Sequence, residues 1–193
     1  MRRVGYLLGL VLVLTLTAAA QETPKAEVSL GFSYIRANLN NPAVVGPGRT
    51  ITGANLNGGS GSFAYNVTPT LGLVADVGGY RIGQIGNAPV NSTLVSYLAG
   101  PRVSYRHFSR ITPFAQTLFG AAHAGSGALG TAGTDNAFAM TAGGGLDARL
   151  TDHLVWRASQ VEYLLTRFRD AGPTRNTQNN LRVSTGLVFQ FGK

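Results

Sequence analysis

Side chains able to do nucleophilic chemistry are few in this chain. A hydroxyl nucleophile needs a histidine base oriented by an acid, and the only histidines are His107, His123 and His153. His123 with Ser126 is the one close pair, and Asp135 is the carboxylate nearest to it. His107 and His153 fall in tight turns, away from that pair. The sequence contains no phosphate-binding loop of the Gly-Lys-Ser/Thr kind and no His/Asp/Glu cluster at metal-ligand spacing. With no cysteine there is no disulfide, thiolate metal site or lipoprotein anchor. The expectation is a chain that is not an enzyme and carries no cofactor and no metal.

The arginines and carboxylates follow a more regular rule. Glu27, Asp76, Arg102, Asp147, Arg149 and Arg182 each stand on the opposite parity from the aliphatic residues around them. The final stretch shows this best. Leu181, Val183, Thr185, Leu187, Phe189 and Phe191 alternate with Asn180, Arg182, Ser184, Gly186, Val188 and Gln190. A period of two over twelve residues is a β-strand with one apolar and one polar face.

Seven earlier stretches repeat the pattern, at about 25–38, 60–67, 70–81, 93–106, 112–124, 136–149 and 154–168. Residues 40–59, rich in Asn, Gly and Pro, read as a long loop, and the connections alternate long and short. Pro101 costs strand four a ladder hydrogen bond. Strand five has no clear parity. In strand seven Arg157 and Glu162 fall on opposite parities, so either a bulge resets the register or Glu162 stands near a rim.

Residues 1–20 have a basic start, an apolar stretch and a small-residue Ala18-Ala-Ala20 end, the form of a secretory signal peptide. Residues 21–193 then form one domain. Losing Arg2 and Arg3 lowers the net charge from +8 to +6. The surplus is scattered arginine without a run, on an exported chain, which argues against nucleic acid. Only Lys25 and Lys193 are lysines, whereas glycine numbers 26. Soluble β-proteins place lysine on wet faces and edges, so the large faces here are not expected to meet bulk water.

Eight amphipathic strands with alternating connections fit an all-β, antiparallel, up-and-down transmembrane β-barrel with both termini periplasmic. Its narrow lumen would be filled by side chains, and buried charges there need partners. Glu27, Asp76, Arg102, Asp147, Arg149, Arg157 and Arg182 are the expected lumen network, with Arg149 equally able to reach out to the rim. Tyr34, Tyr65, Tyr97, Tyr105, Phe108, Phe114, Trp156, Phe168, Phe189 and Phe191 would form interfacial girdles. A soluble lipocalin-like binding barrel is the inverted alternative.

The signal peptide, the strand pattern, Gly100-Pro-Arg-Val-Ser-Tyr-Arg106, Gly143-Gly-Gly-Leu-Asp-Ala-Arg149 and Gly186-Leu-Val-Phe-Gln-Phe191 resemble the OmpA/OmpX-type outer-membrane barrel family. That resemblance implies the bacterial cell outer membrane and a strand-end aromatic signal, Phe189 and Phe191, read by the barrel-assembly machinery. Gly192 and Lys193 follow that signal, a departure from the family pattern. The peptidoglycan-binding domain of some members has no counterpart in this sequence, so no tether to the cell wall is expected. The expected role is structural, envelope-stabilising or loop-presenting, as a monomer; a narrow passive pore is the alternative. Arg49, Arg81, Arg167, Arg169 and Arg175 are expected to meet outer-membrane lipid, including phosphates of lipopolysaccharide.

Overall fold

The computed structural model describes residues 23–44, 50–85, 88–128, 131–169 and 175–192. The signal-peptide stretch and Arg49 lie outside them. Eight strands follow in chain order: β1 (Ala26–Val44), β2 (Thr50–Asn66), β3 (Leu71–Ile85), β4 (Ala88–Ser104), β5 (Ile111–Ala128), β6 (Thr131–Arg149), β7 (Leu154–Arg169) and β8 (Arg175–Phe191). Each pairs antiparallel with its sequence neighbours, and β1 pairs with β8 to close the barrel. Closure removes the sheet edges from the central band, and the distal arms of the β1–β2 hairpin extend beyond it paired only to each other. The termini and the turns after β2, β4 and β6 share one end, called proximal here; the other four hairpins are distal.

Burial is inverted relative to a soluble barrel. Leu30 is 61% exposed and Leu73 57%, whereas Arg182 is 1% and Glu162 1%. The outward series from Leu181 to Phe191 is ten residue steps. At about 3.3 Å per step and a tilt near 45° it covers roughly 23 Å, close to the apolar band of a membrane-spanning barrel. The alternation of the sequence thus sets which solvent each face meets. Oily side chains look outward and arginines point to the axis.

The strands, at 15 to 19 residues, outrun the about 9–11 needed to cross a bilayer. They absorb most of what the sequence marks as loop. β1 runs to Val44 and β2 begins at Thr50, so most of 40–59 is ladder. Asn and Gly are poor strand formers in isolation, but here the two arms of the hairpin pair with each other beyond the band where β8 and β3 also pair, and that pairing overrides the preference. The same extension moves the distal ends of β3 to β8 outward by one to five residues, and the contrast between long and short connections becomes strand length. β4 instead stops at Ser104, two residues early.

β7 carries the bulge. Leu146 pairs with Ser159 but Asp147 with Arg157, and across β8 Arg157 pairs with Gly186 and Gln160 with Ser184. One extra residue around Ala158 and Ser159 turns both Arg157 and Glu162 inward. At the closing seam Gly31 faces Gly186. A Cβ on Gly186 would run into the carbonyl oxygen of Leu30, and one on Gly31 into that of Thr185. Two bare backbones are what let β1 and β8 approach there.

Candidate functional site

The lumen carries four arginines and four carboxylates in contact, so their formal charges cancel. Arg182 is the hub. Its Nε donates to Glu162 Oε2 at 2.6 Å and its Nη1 to Asp76 Oδ1 at 2.7 Å. Gln116 Nε2 donates to the other Glu162 oxygen at 2.8 Å, and Gln116 Oε1 accepts from Arg102 Nε at 2.9 Å. Arg102 Nη1 lies 3.5 Å from Glu27 Oε2. Glu27 Oε1 accepts from Arg106 Nη2 at 2.5 Å and from Asn66 Nδ2 at 3.0 Å.

A second branch is a fork-to-fork pair. Arg157 Nε and Nη2 donate to the two Asp147 oxygens at 2.8 and 3.0 Å, and Nη1 to Gln160 Oε1 at 3.2 Å. Such bidentate pairing is the geometry arginine favours when desolvated. Phe114 joins the branches, with the guanidinium carbons of Arg102 and Arg157 each 4.7 Å from its ring centre. Every strand supplies a member: Glu27 from β1, Asn66 from β2, Asp76 from β3, Arg102 from β4, Gln116 from β5, Asp147 from β6, Arg157 and Glu162 from β7, and Arg182 from β8.

Six of the seven lumen residues named from sequence meet in this network. Arg149 does not. It is exposed at the proximal rim, beside a cavity of about 20 Å³ that it lines with Arg106 and Gln190, room for about one water. One residue from the turn, its long side chain reaches water more cheaply than the axis. Phe114 also departs from expectation: it is 6% exposed inside the lumen, not in a girdle. Asn66, Arg106, Gln116, Gln160 and Glu162 are network members that sequence reasoning left out. Glu162 was hidden by the bulge. Gln116 carries no charge to mark it.

At the distal edge of the apolar band, polar side chains face outward from all eight strands: Arg36, Asn55 and Asn57, Arg81, Thr93, His123, Asn136, Arg167 and Asn179. Arg81 and Arg167, named from sequence, are exposed there, and Arg36 is a third outward arginine that sequence reasoning did not name. Arg36 Nη1 donates to Asn55 Oδ1, and His123 Nδ1 lies 2.7 Å from Asn136 Oδ1. The side chains of Ser126, Asp135, Arg169 and Arg175 lie outside the described residues. Phe189 and Phe191 are exposed at the proximal end of β8, on the outward face.

No protein-family model matches the chain, and no curated protein matches it. Solved structures do match in shape. Neisserial surface protein A superposes with a TM-score of 0.66 at 13% identity, covering 89% of this chain and 100% of that one. Ail, the attachment invasion locus protein of Yersinia pestis, solved in complex with the heparin analogue sucrose octasulfate, gives 0.58 at 15%, covering 88% and 99%. The N-terminal β-barrel domain of OprF from Pseudomonas aeruginosa gives 0.50 at 15%, covering 88% and 100%. At such identities the likeness is one of fold. Closure, inverted burial and these superpositions together give the chain the fold of the small eight-stranded β-barrels of the bacterial outer membrane.

Proposed function

We propose that the chain lies in the bacterial outer membrane as a closed barrel that stabilises the envelope and presents its distal hairpins to the outside. The observation that carries this reading is the occupied lumen. Arg102, Arg157 and Arg182 are each 5% exposed or less and held by carboxylates, and Ile35 and Leu118 are fully buried in the same lumen, so the filled lumen as a whole leaves no continuous aqueous column. Planar-bilayer recording of the purified barrel tests it. The expected trace shows no discrete openings above those of lipid alone, and regular single-channel steps would establish the narrow-pore alternative.

The distal collar supports a lipid partner. Arg36, Arg81 and Arg167 stand outward and exposed where headgroups begin, among amides and without an exposed outward carboxylate beside them among the described residues. Guanidinium forks suit phosphate oxygens, and lipopolysaccharide phosphates of the outer leaflet are the matching chemistry. Arg49, Arg169 and Arg175 extend the set by sequence position. Replacing these six by Gln and measuring glycolipid co-purified with the barrel is the test. At least a severalfold loss is expected, and unchanged retention would remove the proposal.

A further inference from the structure

The inward-facing residues change character part-way along the strands. Toward the distal end, Glu162 on β7 gives way to Leu164, Gln116 on β5 to Leu118 and Ala122, and Arg102 on β4 to Leu98 and Leu94. Ser33 on β1 gives way to Ile35, Ser62 on β2 to Leu56 and Ala54, and Asp76 on β3 to Tyr80. On β6 the inward distal residues are Ala139 and Ala137. These side chains pack into two touching clusters that share Leu94, the first of which reaches down the wall through Ala64 and Val74, proximal of Ser62 and Asp76. Ile35, Leu118, Ala122 and Ala139 are completely buried. The lumen is therefore filled in two layers, ionic on the proximal side and largely aliphatic on the distal side.

The layers differ in what they offer an ion. The ionic layer holds fixed charges of both signs, and Arg102 Nη2, Arg106 Nε and Gln190 Oε1 are buried there without a partner. Arg106 and Gln190 line the proximal cavity, so water entering from that end has groups to bind. In the aliphatic layer the polar atoms are mostly turned to each other or away. Asn180 Nδ2 donates to Thr166 Oγ1 at 3.3 Å, and Tyr80 Oη lies near Ser33 and Arg182. Ser96 and Thr141 contribute only isolated hydroxyls. An ion crossing this layer sheds its hydration with only two separate hydroxyls in its place, close to the condition under which an apolar constriction blocks by staying dry.

We propose that the aliphatic layer around Ile35, Leu118 and Leu164, and not the ion-pair layer beneath it, is the barrier that keeps the barrel closed to ions. The proposal rests on the closed-barrel reading above. Potassium leak from KCl-loaded liposomes carrying folded barrel tests it, with folding scored by heat-modifiable gel migration. The Ile35→Ser/Leu118→Ser/Leu164→Ser variant should raise leak about tenfold or more, equivalent to about 1.4 kcal/mol or more off the barrier. Asp147→Asn/Arg157→Gln, which keeps the lumen neutral, should leak like the wild type. A folded triple variant as tight as wild type, or an equal leak from the ion-pair variant, would overturn the proposal. Should the triple variant not fold, Leu118→Thr alone carries the same comparison with a smaller rise. Wild-type barrel that itself leaks would instead overturn the closed-barrel reading.

Discussion

Replacing Arg182 by Met is the sharpest perturbation of the lumen. The side chain is 1% exposed and lies between two carboxylates, Glu162 at 0% and Asp76 at 5% side-chain exposure. Met fills most of the volume, so packing changes little and the loss is electrostatic. Breaking a buried pair by removing one partner costs about 3–5 kcal/mol, because the remaining charge is stranded. Two carboxylates are stranded here, although Gln116 still donates to Glu162, so the upper half of that range is expected. Removing the whole cluster, Asp76→Asn/Glu162→Gln/Arg182→Met, strands nothing and should cost less than half as much. The assay is equilibrium urea unfolding in lipid vesicles. It can be followed by the fluorescence of Trp156, the only tryptophan, which sits outward at 47% exposure and should shift on leaving the bilayer. A single variant within about 1 kcal/mol of wild type, or a triple variant as unstable as the single, would refute the claim that charge pairing organises this lumen.

Other expectations concern separate features. Arg157→Gln should cost about 3 kcal/mol or more, whereas Arg149→Gln at the rim should stay within about 0.5 kcal/mol; equal effects in the same unfolding assay would erase the distinction between lumen and rim. Phe114→Leu removes the ring between two guanidiniums and should cost about 1–3 kcal/mol, where a girdle aromatic would change membrane partitioning instead. Gly186→Ala forces a methyl against the Leu30 carbonyl and should destabilise by about 1–3 kcal/mol. Gly79→Ala meets nothing within 4 Å and should be near neutral, so comparable losses would dismiss the close approach at the closing seam. Deleting the Phe191 ring should lower assembly in cells, read by outer-membrane yield, with little change in vesicle refolding.

What the sequence made legible was the face of each residue wherever lumen and lipid differ in polarity. β8 alternates cleanly because Asn180, Arg182, Ser184 and Gln190 face inward opposite Leu181, Leu187 and Phe189. β5 was opaque for a physical reason. Its inward Phe114, Leu118 and Ala122 belong to the ring contact and the aliphatic layer, its outward Ala115, Phe119 and Ala121 meet lipid, and each face carries a polar residue too, Gln116 inward and Thr117 and His123 outward, so the two faces read alike. The same two-sidedness hid Phe114. Distal strand ends were missed because Asn, Gly and Pro signal turns only when the chain is free to turn, and here the partner arm of the same hairpin holds it extended. The bulge in β7 was visible as a parity conflict, but only the register of β6 and β8 located it.

The network also bears on how such a barrel can be built. All eight strands contribute to the network, and some partners meet only across the barrel, as Asp76 of β3 and Arg182 of β8 do. The Asp147–Arg157 pair forms within one hairpin, but Asp76 meets Arg182, and Glu27 meets Arg102, only when distant strands come together. A partly assembled intermediate would carry naked guanidinium and carboxylate into hydrocarbon, so unfinished sheets gain little from inserting. The last pairing, β1 to β8, brings Arg182 of β8 within reach of Asp76 on β3. Insertion and circularisation are thereby tied into one step, and a chain with any stave out of register has strong reason to stay outside the bilayer.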